Sequence, residues 1–259
     1  MKSRKKRFLD ILCERYPEIE RKELYSLILC GEVSVNNEKR RDPSCLILSD
    51  ARIDLQFRKY VSRGGLKLEK ALNEWGIDVC NKVVLDAGCS TGGFTDCLLQ
   101  HGAAMVFSVD VGFNQLDYKL RQNEKVRVYE KTNIMDIQSL VPIPNFAVAD
   151  ISFRSIRNAA SHILDLTKEK ELIALIKPQF EIPKEYENFN GVIRDVKILE
   201  DVLISLSSDL FGEKAFIQAV TESPIAGKKG GNREFLFYLK NRQNVSIENI
   251  QNEIRGLLY

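Results

Sequence analysis

Val83-Val84-Leu85-Asp86-Ala87-Gly88-Cys89-Ser90-Thr91-Gly92-Gly93-Phe94-Thr95-Asp96 is the stretch that decides the fold of this 259-residue chain. Val83 to Leu85 are apolar and read as a buried strand. Three glycines with Ser90 and Thr91 then read as a tight turn, and Phe94, Cys97, Leu98 and Leu99 open a helix. A strand feeding a glycine-rich turn and a helix surrounds a pocket at the carboxyl end of a sheet with bare backbone and helix-end N–H groups. Such a pocket suits a nucleotide-like cofactor. The segment departs from the dinucleotide fingerprint, because Ser90 stands where its second glycine would fall. Asp86 ends the strand, where a carboxylate repels phosphates and favours a cation. Gly88, Ser90, Gly92, Gly93 and Phe94 are therefore the candidate cradle, with Asp86 facing a ligand that has an amino group and a sulfonium. S-adenosyl-L-methionine has both.

Outward from this stretch, strand and helix patterns alternate. Strands are expected at 82–87, 104–110, 126–130, 146–150, 171–176, 215–221 and 234–239. Helices are expected at 65–75, 93–101, 115–122, 154–167 and 195–210, and 246–258 reads as a terminal helix. The alternation predicts a mostly parallel sheet covered on both faces. The last strand follows the sixth through a loop without a helix, which allows it to run antiparallel. The long polar loop 181–194 has the size of a functional lid.

The first 60 residues read differently, as a helix–helix–hairpin unit. Phe8, Leu9, Ile11 and Leu12 mark one helical face, and Leu24, Leu27 and Ile28 another, stopped at Cys30-Gly31. Val33-Ser34-Val35 alternates like a strand, Asn36-Asn37 makes a turn, and 46–48 and 52–55 supply two further short strands. The expected organisation is thus a small domain at 1–57, a linker at 58–61 and a large domain at 62–259.

Charge sharpens that division. Residues 1–60 hold 14 Lys/Arg against 10 Asp/Glu, whereas 61–259 hold 24 against 26. A basic small end on a near-neutral body suggests contact with a polyanion, most simply nucleic acid. Hydrophobic and charged contents of 44% and 29% fit a soluble globular protein. The six cysteines lack paired metal spacing and read as buried free thiols of a reducing compartment, so no metal is expected. There is no signal-peptide pattern and no run long enough to span a membrane, so a cytoplasmic location is expected and membrane insertion is not.

Ionisable residues end four of the strands. Asp110 follows Val106 to Val109, 24 positions after Asp86, where an acid accepts hydrogen bonds from ribose hydroxyls. Asp136, after the third strand, is a candidate for the adenine amino group. Asp150 follows Phe146 to Ala149, and Lys177 follows Leu172 to Ile176. Carboxyl ends of adjacent parallel strands line one crevice, so Asp86, Asp110, Asp150 and Lys177 should converge. A charge after five apolar residues is costly unless paired or used; mutual pairing of Asp150 and Lys177 would satisfy it as well.

Five segments then carry a resemblance: Tyr60 to Leu68, Leu85 to Asp96, Ala149 to Phe153, Leu175 to Glu181 and Gly230 to Phe235. In this order they resemble the TlyA family, an S4-like RNA-binding domain fused to an FtsJ-like ribose methyltransferase domain, also described as the haemolysin A family. The N-terminal match, Ile28 to Asn36, is looser, since Asn36-Asn37 replaces the commoner Asn-Gly. The resemblance implies an α/β architecture: a Rossmann-like methyltransferase domain on a seven-stranded, mostly parallel sheet, with a small α+β S4-like domain before it. It implies a Lys-Asp-Lys-Glu tetrad for 2′-O-methylation of RNA, matched by Lys67, Asp150, Lys177 and Glu234. Lys177 would be the base, Asp150 its positioning partner (and part of the cofactor site), and Lys67 and Glu234 would orient the ribose and Lys177. A second nearby lysine and burial would both disfavour the charged form of that base. The implied partner is ribosomal RNA, at a cytidine ribose.

A 2′-hydroxyl is present on every nucleotide, so site choice needs separate contacts. Candidates are Arg4, Lys5, Lys6, Arg7, Arg21, Lys22, Arg40 and Arg41, with Arg63, Lys228 and Lys229 beside the tetrad. Three rivals stand against this reading: a membrane-acting haemolysin, an RNA-binding protein with an inactive methyltransferase fold, and a base methyltransferase. The last carries an Asn/Asp-Pro-Pro-aromatic segment where this chain has Asp150-Ile151-Ser152-Phe153.

Overall fold

The computed structural model describes residues 4–55, 59–152, 154–182, 191–227 and 231–259. Within it, the chain divides into two compact units, Met1–Lys59 and Tyr60–Tyr259.

In the first unit, β1 (Lys5–Arg7) leads directly into α1 (Phe8–Arg15), followed by α2 (Arg21–Cys30), β2 (Val33–Val35), β3 (Glu38–Lys39), β4 (Leu46–Leu48) and β5 (Ile53–Leu55). Gly31 closes α2 at φ 71°, the left-handed cap that glycine adopts at least cost. Asn36 and Asn37 both take positive φ, as a two-residue hairpin turn requires. β2 lies between β3 and β5, while β1 pairs with β4. The basic run Lys5 to Arg7 is therefore strand, paired Lys5 to Leu48 and Arg7 to Leu46. Phe8, Ile11, Leu12, Leu24, Ile28, Val33 and Ile53 fill the unit's core.

The second unit runs α3 (Gly64–Glu74), β6 (Val83–Ala87), α4 (Gly93–Gln100), β7 (Met105–Val109), α5 (Tyr118–Arg121), β8 (Val126–Tyr129), a 3₁₀ turn (Ile134–Asp136), β9 (Phe146–Ala149), α6 (Ala159–Asp165), β10 (Glu171–Ile176), α7 (Pro178–Glu181), α8 (Val196–Gly212), β11 (Phe216–Glu222), β12 (Phe235–Lys240) and α9 (Ile247–Leu258). All seven expected strands form one sheet in the order β11-β12-β10-β9-β6-β7-β8. β12 alone is antiparallel to its neighbours, wedged between β10 and β11. Alternate residues feed opposite layers. Leu85, Phe107, Leu172 and Ala174 pack under α6, α8 and α9, while Val84, Val106, Ile173 and Leu175 pack under α3 and α4. Burial on both faces explains why these strands read as continuous apolar runs.

Two helices are shorter than expected. The one at 115–122 shrinks to Tyr118–Arg121, capped by Asp117, whose side chain accepts from the Lys119 N–H. The one at 154–167 begins only at Ala159, because Asn158 takes φ 62° and breaks it. Tyr60 and Val61, read as linker, are part of the second unit: Tyr60 is buried, and the Val61 N–H donates to Asp96 Oδ2 at 2.7 Å. Cysteine burial is mixed, since Cys89 and Cys97 are buried, Cys13 and Cys45 half-buried and Cys80 exposed. No helix among the described residues is long and apolar enough to cross a membrane.

Candidate active site

The crossovers leave the sheet in opposite directions at β6 and β9, the place where α/β sheets open a crevice. Gly88 follows β6 there and Asp150 follows β9. A Cβ on Gly88, at φ 87°, would stand 2.6 Å from the Asp150 carbonyl oxygen, so the turn touches the neighbouring strand end. Gly93 performs the same service between helices: its added Cβ would meet Ser62 Oγ at 2.2 Å and the Gly65 nitrogen at 3.0 Å. The starts of α3 and α4 are thereby brought together beside the turn.

Two cavities share the wall formed by Gly88, Ser90, Asp150 and Ser152. The first, about 350 Å³, is also lined by Ser62, Arg63, Lys67, Gly93, Phe94, Lys177, Gln179, Phe180, Gly227 and Glu234. The second, about 450 Å³, is lined by Asp110, Val111, Gly112, Gln115, Thr132, Asn133, Ile134 and Arg154. Both are of the size that takes small-molecule ligands.

The four tetrad residues all line the first cavity, and they stand as two ion pairs. Lys67 and Glu234 pair from α3 and the start of β12, both nearly buried. Lys177 Nζ lies 2.5 Å from Asp150 Oδ1 and donates to Ser152 Oγ at 2.6 Å. Sheet register explains the proximity: Ile176 pairs with Phe235, so Lys177 and Glu234 leave adjacent strands at the same end. Each lysine has its own carboxylate. Ser152 is a partner of Lys177 that nothing in the sequence announced.

In the second cavity Asp110 is held by the turn itself. Its Oδ2 accepts from the Ser90 N–H at 2.8 Å and its Oδ1 from the Gly112 N–H at 2.7 Å. Three expectations shift. Asp86 lines neither cavity: it is fully buried beneath the turn, where Oδ2 accepts from Thr95 Oγ1 at 2.6 Å and Oδ1 has no hydrogen-bond partner among the described residues. Burial, helped by the charges of Asp150 and Asp110 and opposed by the Thr95 bond, pushes its carboxyl up to about 7. Gly92 is also outside the wall; it carries the chain into α4 at φ 92°, where a Cβ would strike Leu120 and Leu116. Asp136 is exposed at the end of the 3₁₀ turn, and Asn133, the residue that caps that turn, takes the place in the wall.

The candidate RNA cations fall into two groups. Lys6, Arg21, Lys22 and Arg40 are exposed but paired with Glu14, Asp10, Glu20 and Glu38 at 2.7–2.9 Å. Arg4, Lys5, Arg7 and Arg41 are exposed with no ion pair among the described residues, and Arg63 is exposed at the rim of the first cavity. Lys228 and Lys229 lie outside the described residues, as does Phe153.

Residues 60–241 match the model of a family described as FtsJ-like methyltransferase. The chain is 40% identical over 245 residues to the "Putative rRNA methyltransferase YqxC" of Bacillus subtilis, covering 92% of this chain and 87% of that one. It is 36% identical over 210 residues to the "23S rRNA (cytidine-2′-O)-methyltransferase TlyA" of Campylobacter jejuni, covering 80% and 82%. Among solved structures, a "Putative hemolysin from Streptococcus thermophilus" superposes with a TM-score of 0.70 at 33% identity, covering 97% of this chain and 96% of the other.

Proposed function

The chain belongs to the FtsJ-like methyltransferase family, and from that premise we propose that it transfers a methyl group from S-adenosylmethionine to a ribose 2′-hydroxyl of ribosomal RNA, at a cytidine. The observation that carries the reading is the pair of lysine–carboxylate contacts lining the same cavity as the glycine turn. The relatives named as rRNA methyltransferases supply the substrate class.

The residues of the second cavity fit the donor. Asp110, pinned by two backbone N–H groups, presents a fixed carboxylate to a diol. The acidic set Asp110 and Asp150 suits a cation without phosphates. Gly93 and Phe94 close the other side of the turn in the first cavity. When bound, S-adenosylmethionine supplies an electrophilic methyl on a sulfonium.

The chain's own residues then have three tasks. A ribose hydroxyl becomes a nucleophile only as its proton is removed. Lys177 takes that proton at Nζ, for which it must enter the cycle as the neutral amine. Asp150 and Ser152 fix the direction of that nitrogen and stabilise the ammonium once formed. Lys67 and Glu234 form the facing side and orient the ribose, so that the hydroxyl approaches in line. Proton removal and alignment are the main demands of the reaction; no side chain has to form a covalent bond.

The small unit serves as the RNA-docking, S4-like element, with Arg4, Lys5, Arg7 and Arg41 as its available cations and Arg63 as a phosphate contact at the cavity. A cytoplasmic location follows from the substrate. The test is mass mapping of 2′-O-methyl groups on ribosomal RNA from cells with and without the gene, repeated with purified protein. A 2′-O-methylcytidine present only with the gene is the expected result. An unchanged methylation map, or a methyl found on a base, sinks the proposal.

A further inference from the structure

Among the buried ionisable groups of the large unit, Glu181 has no place in the chemistry above and the densest set of bonds. Its side chain is 3% exposed. Oε1 accepts from the Ile156 N–H at 2.9 Å, and Oε2 accepts from Ser155 Oγ at 2.5 Å and from Arg157 Nη1 at 2.7 Å. Arg157 also reaches the Glu181 carbonyl at 3.3 Å, and its Nε donates to Asp209 of α8 at 2.7 Å. Burial pushes the Glu181 carboxyl up, while the bonds from Ser155, Ile156 and Arg157 pull the other way.

The location gives these bonds a purpose. Glu181 is the last residue of α7, four positions beyond Lys177, and the Phe180 N–H returns to the Lys177 carbonyl at 2.8 Å. Ser155, Ile156 and Arg157 lie in the loop after β9, five to seven positions beyond Asp150. That loop also carries Ser152, the hydroxyl bonded to Lys177. The loops that supply Lys177 and its two partners are thus joined by one buried carboxylate. The Ile156 N–H and the Ser155 hydroxyl, in the stretch before α6, are both committed to Glu181.

We propose that Glu181 is a positioning residue of the methyl-transfer site: its carboxylate, braced by Arg157, sets the distance between Lys177 and the Asp150–Ser152 loop. It touches neither cavity, so it acts only through those residues. A buried carboxylate is costly unless paired and fully hydrogen-bonded, and its return here is a fixed geometry between two loops.

This inference rests on the proposed methyl transfer, and its test separates the two. Wild type, Glu181→Gln and Glu181→Ala are assayed on ribosomal RNA from cells lacking the gene. Rates are expressed per S-adenosylmethionine-binding site counted by calorimetry, so misfolded protein does not enter. Glu181→Ala is expected to lose about 100-fold in kcat, the scale of a 1 Å misplacement, with KM for RNA and cofactor affinity little changed. Glu181→Gln keeps an acceptor for Ile156 but turns an NH2 group toward Arg157, so it should recover only part of that loss, to within about twenty-fold of wild type. Where the alanine variant fails to bind cofactor, Arg157→Met replaces it, with a smaller fall in kcat expected. An unchanged kcat per site in whichever variant binds cofactor, or a loss carried by KM alone, overturns the inference. A wild type that leaves ribosomal RNA unmethylated overturns the functional reading instead.

Discussion

The two lysine–carboxylate pairs of the first cavity have the same chemistry and different surroundings. Lys67 and Glu234 have side chains 11% and 5% exposed. Lys177 is as hidden at 11%, but its partner Asp150 is 25% exposed and Ser152 shares the ammonium. The sealed pair comes from a helix and a strand 167 positions apart and is a brace between them. The open pair comes from neighbouring strand ends, and its ammonium has a second acceptor in Ser152.

That contrast can be broken most directly at Lys177. Lys177→Ala should keep cofactor binding and lose about 10³-fold or more in methyl transfer, at the upper part of the range for general acid–base groups. Wild-type rates in that variant would remove the proton-transfer role.

The next test separates brace from base through stability. Glu234→Ala leaves the Lys67 charge buried without its partner, a loss of about 3–5 kcal/mol and a fall in melting temperature on the order of 10 °C. Adding Lys67→Met should return most of that stability while activity stays low. Asp150→Ala should lower the melting temperature less, because Lys177 keeps the Ser152 hydroxyl and the Ile151 carbonyl as acceptors. Equal melting shifts at the two pairs would show that the difference in burial has no energetic weight.

Asp86 extends the comparison to a buried acid with no cation. Its folded-state carboxyl stands at about 7 against an ordinary 3.8. The folded chain therefore binds more protons than the unfolded one between those values, so this group's contribution to stability is lost as pH rises through about 7. Asp86→Asn should flatten the pH dependence of the melting temperature between pH 4 and 7 and raise its value at pH 8. A variant whose melting curve still tracks the wild type across that window would place the dependence elsewhere.

The smallest effects belong to surface cations, where pairing is again the variable. Arg7→Ala should weaken RNA binding a few-fold and lower the log–log salt slope by about 1. Arg21→Ala, which removes a cation already paired with Asp10, should change less. Filter binding across a salt series reads both.

The sheet was legible because its strands are buried on both faces, so Val83 to Ala87 and Leu172 to Ile176 announce themselves as unbroken apolar runs followed by a charge. The antiparallel course of β12 was open from the missing crossover helix and is what the pairing shows. Partnerships were less legible. Nothing local to Lys67 identifies Glu234, and nothing local to Ile156 identifies the carboxylate 25 positions on that its N–H meets. Asp136 is a similar case: the turn after β8 is capped by Asn133, and the cap rather than the acid lines the cavity. Asp86 was read as facing the ligand because strand ends line crevices, but one residue of backbone geometry places it under the floor.

The wedged position of β12 has a consequence for the order in which the enzyme becomes competent. Chains emerge from the ribosome N-terminus first. The donor-side turn and strands β6 to β10 are all synthesised before the strand that inserts next to β10. Every residue lining the second cavity lies at or before Arg154, whereas the first cavity also needs Glu234 and its pairing with Lys67. The first cavity is therefore complete only once the last strand of the sheet has been made, and the second is not tied to that step.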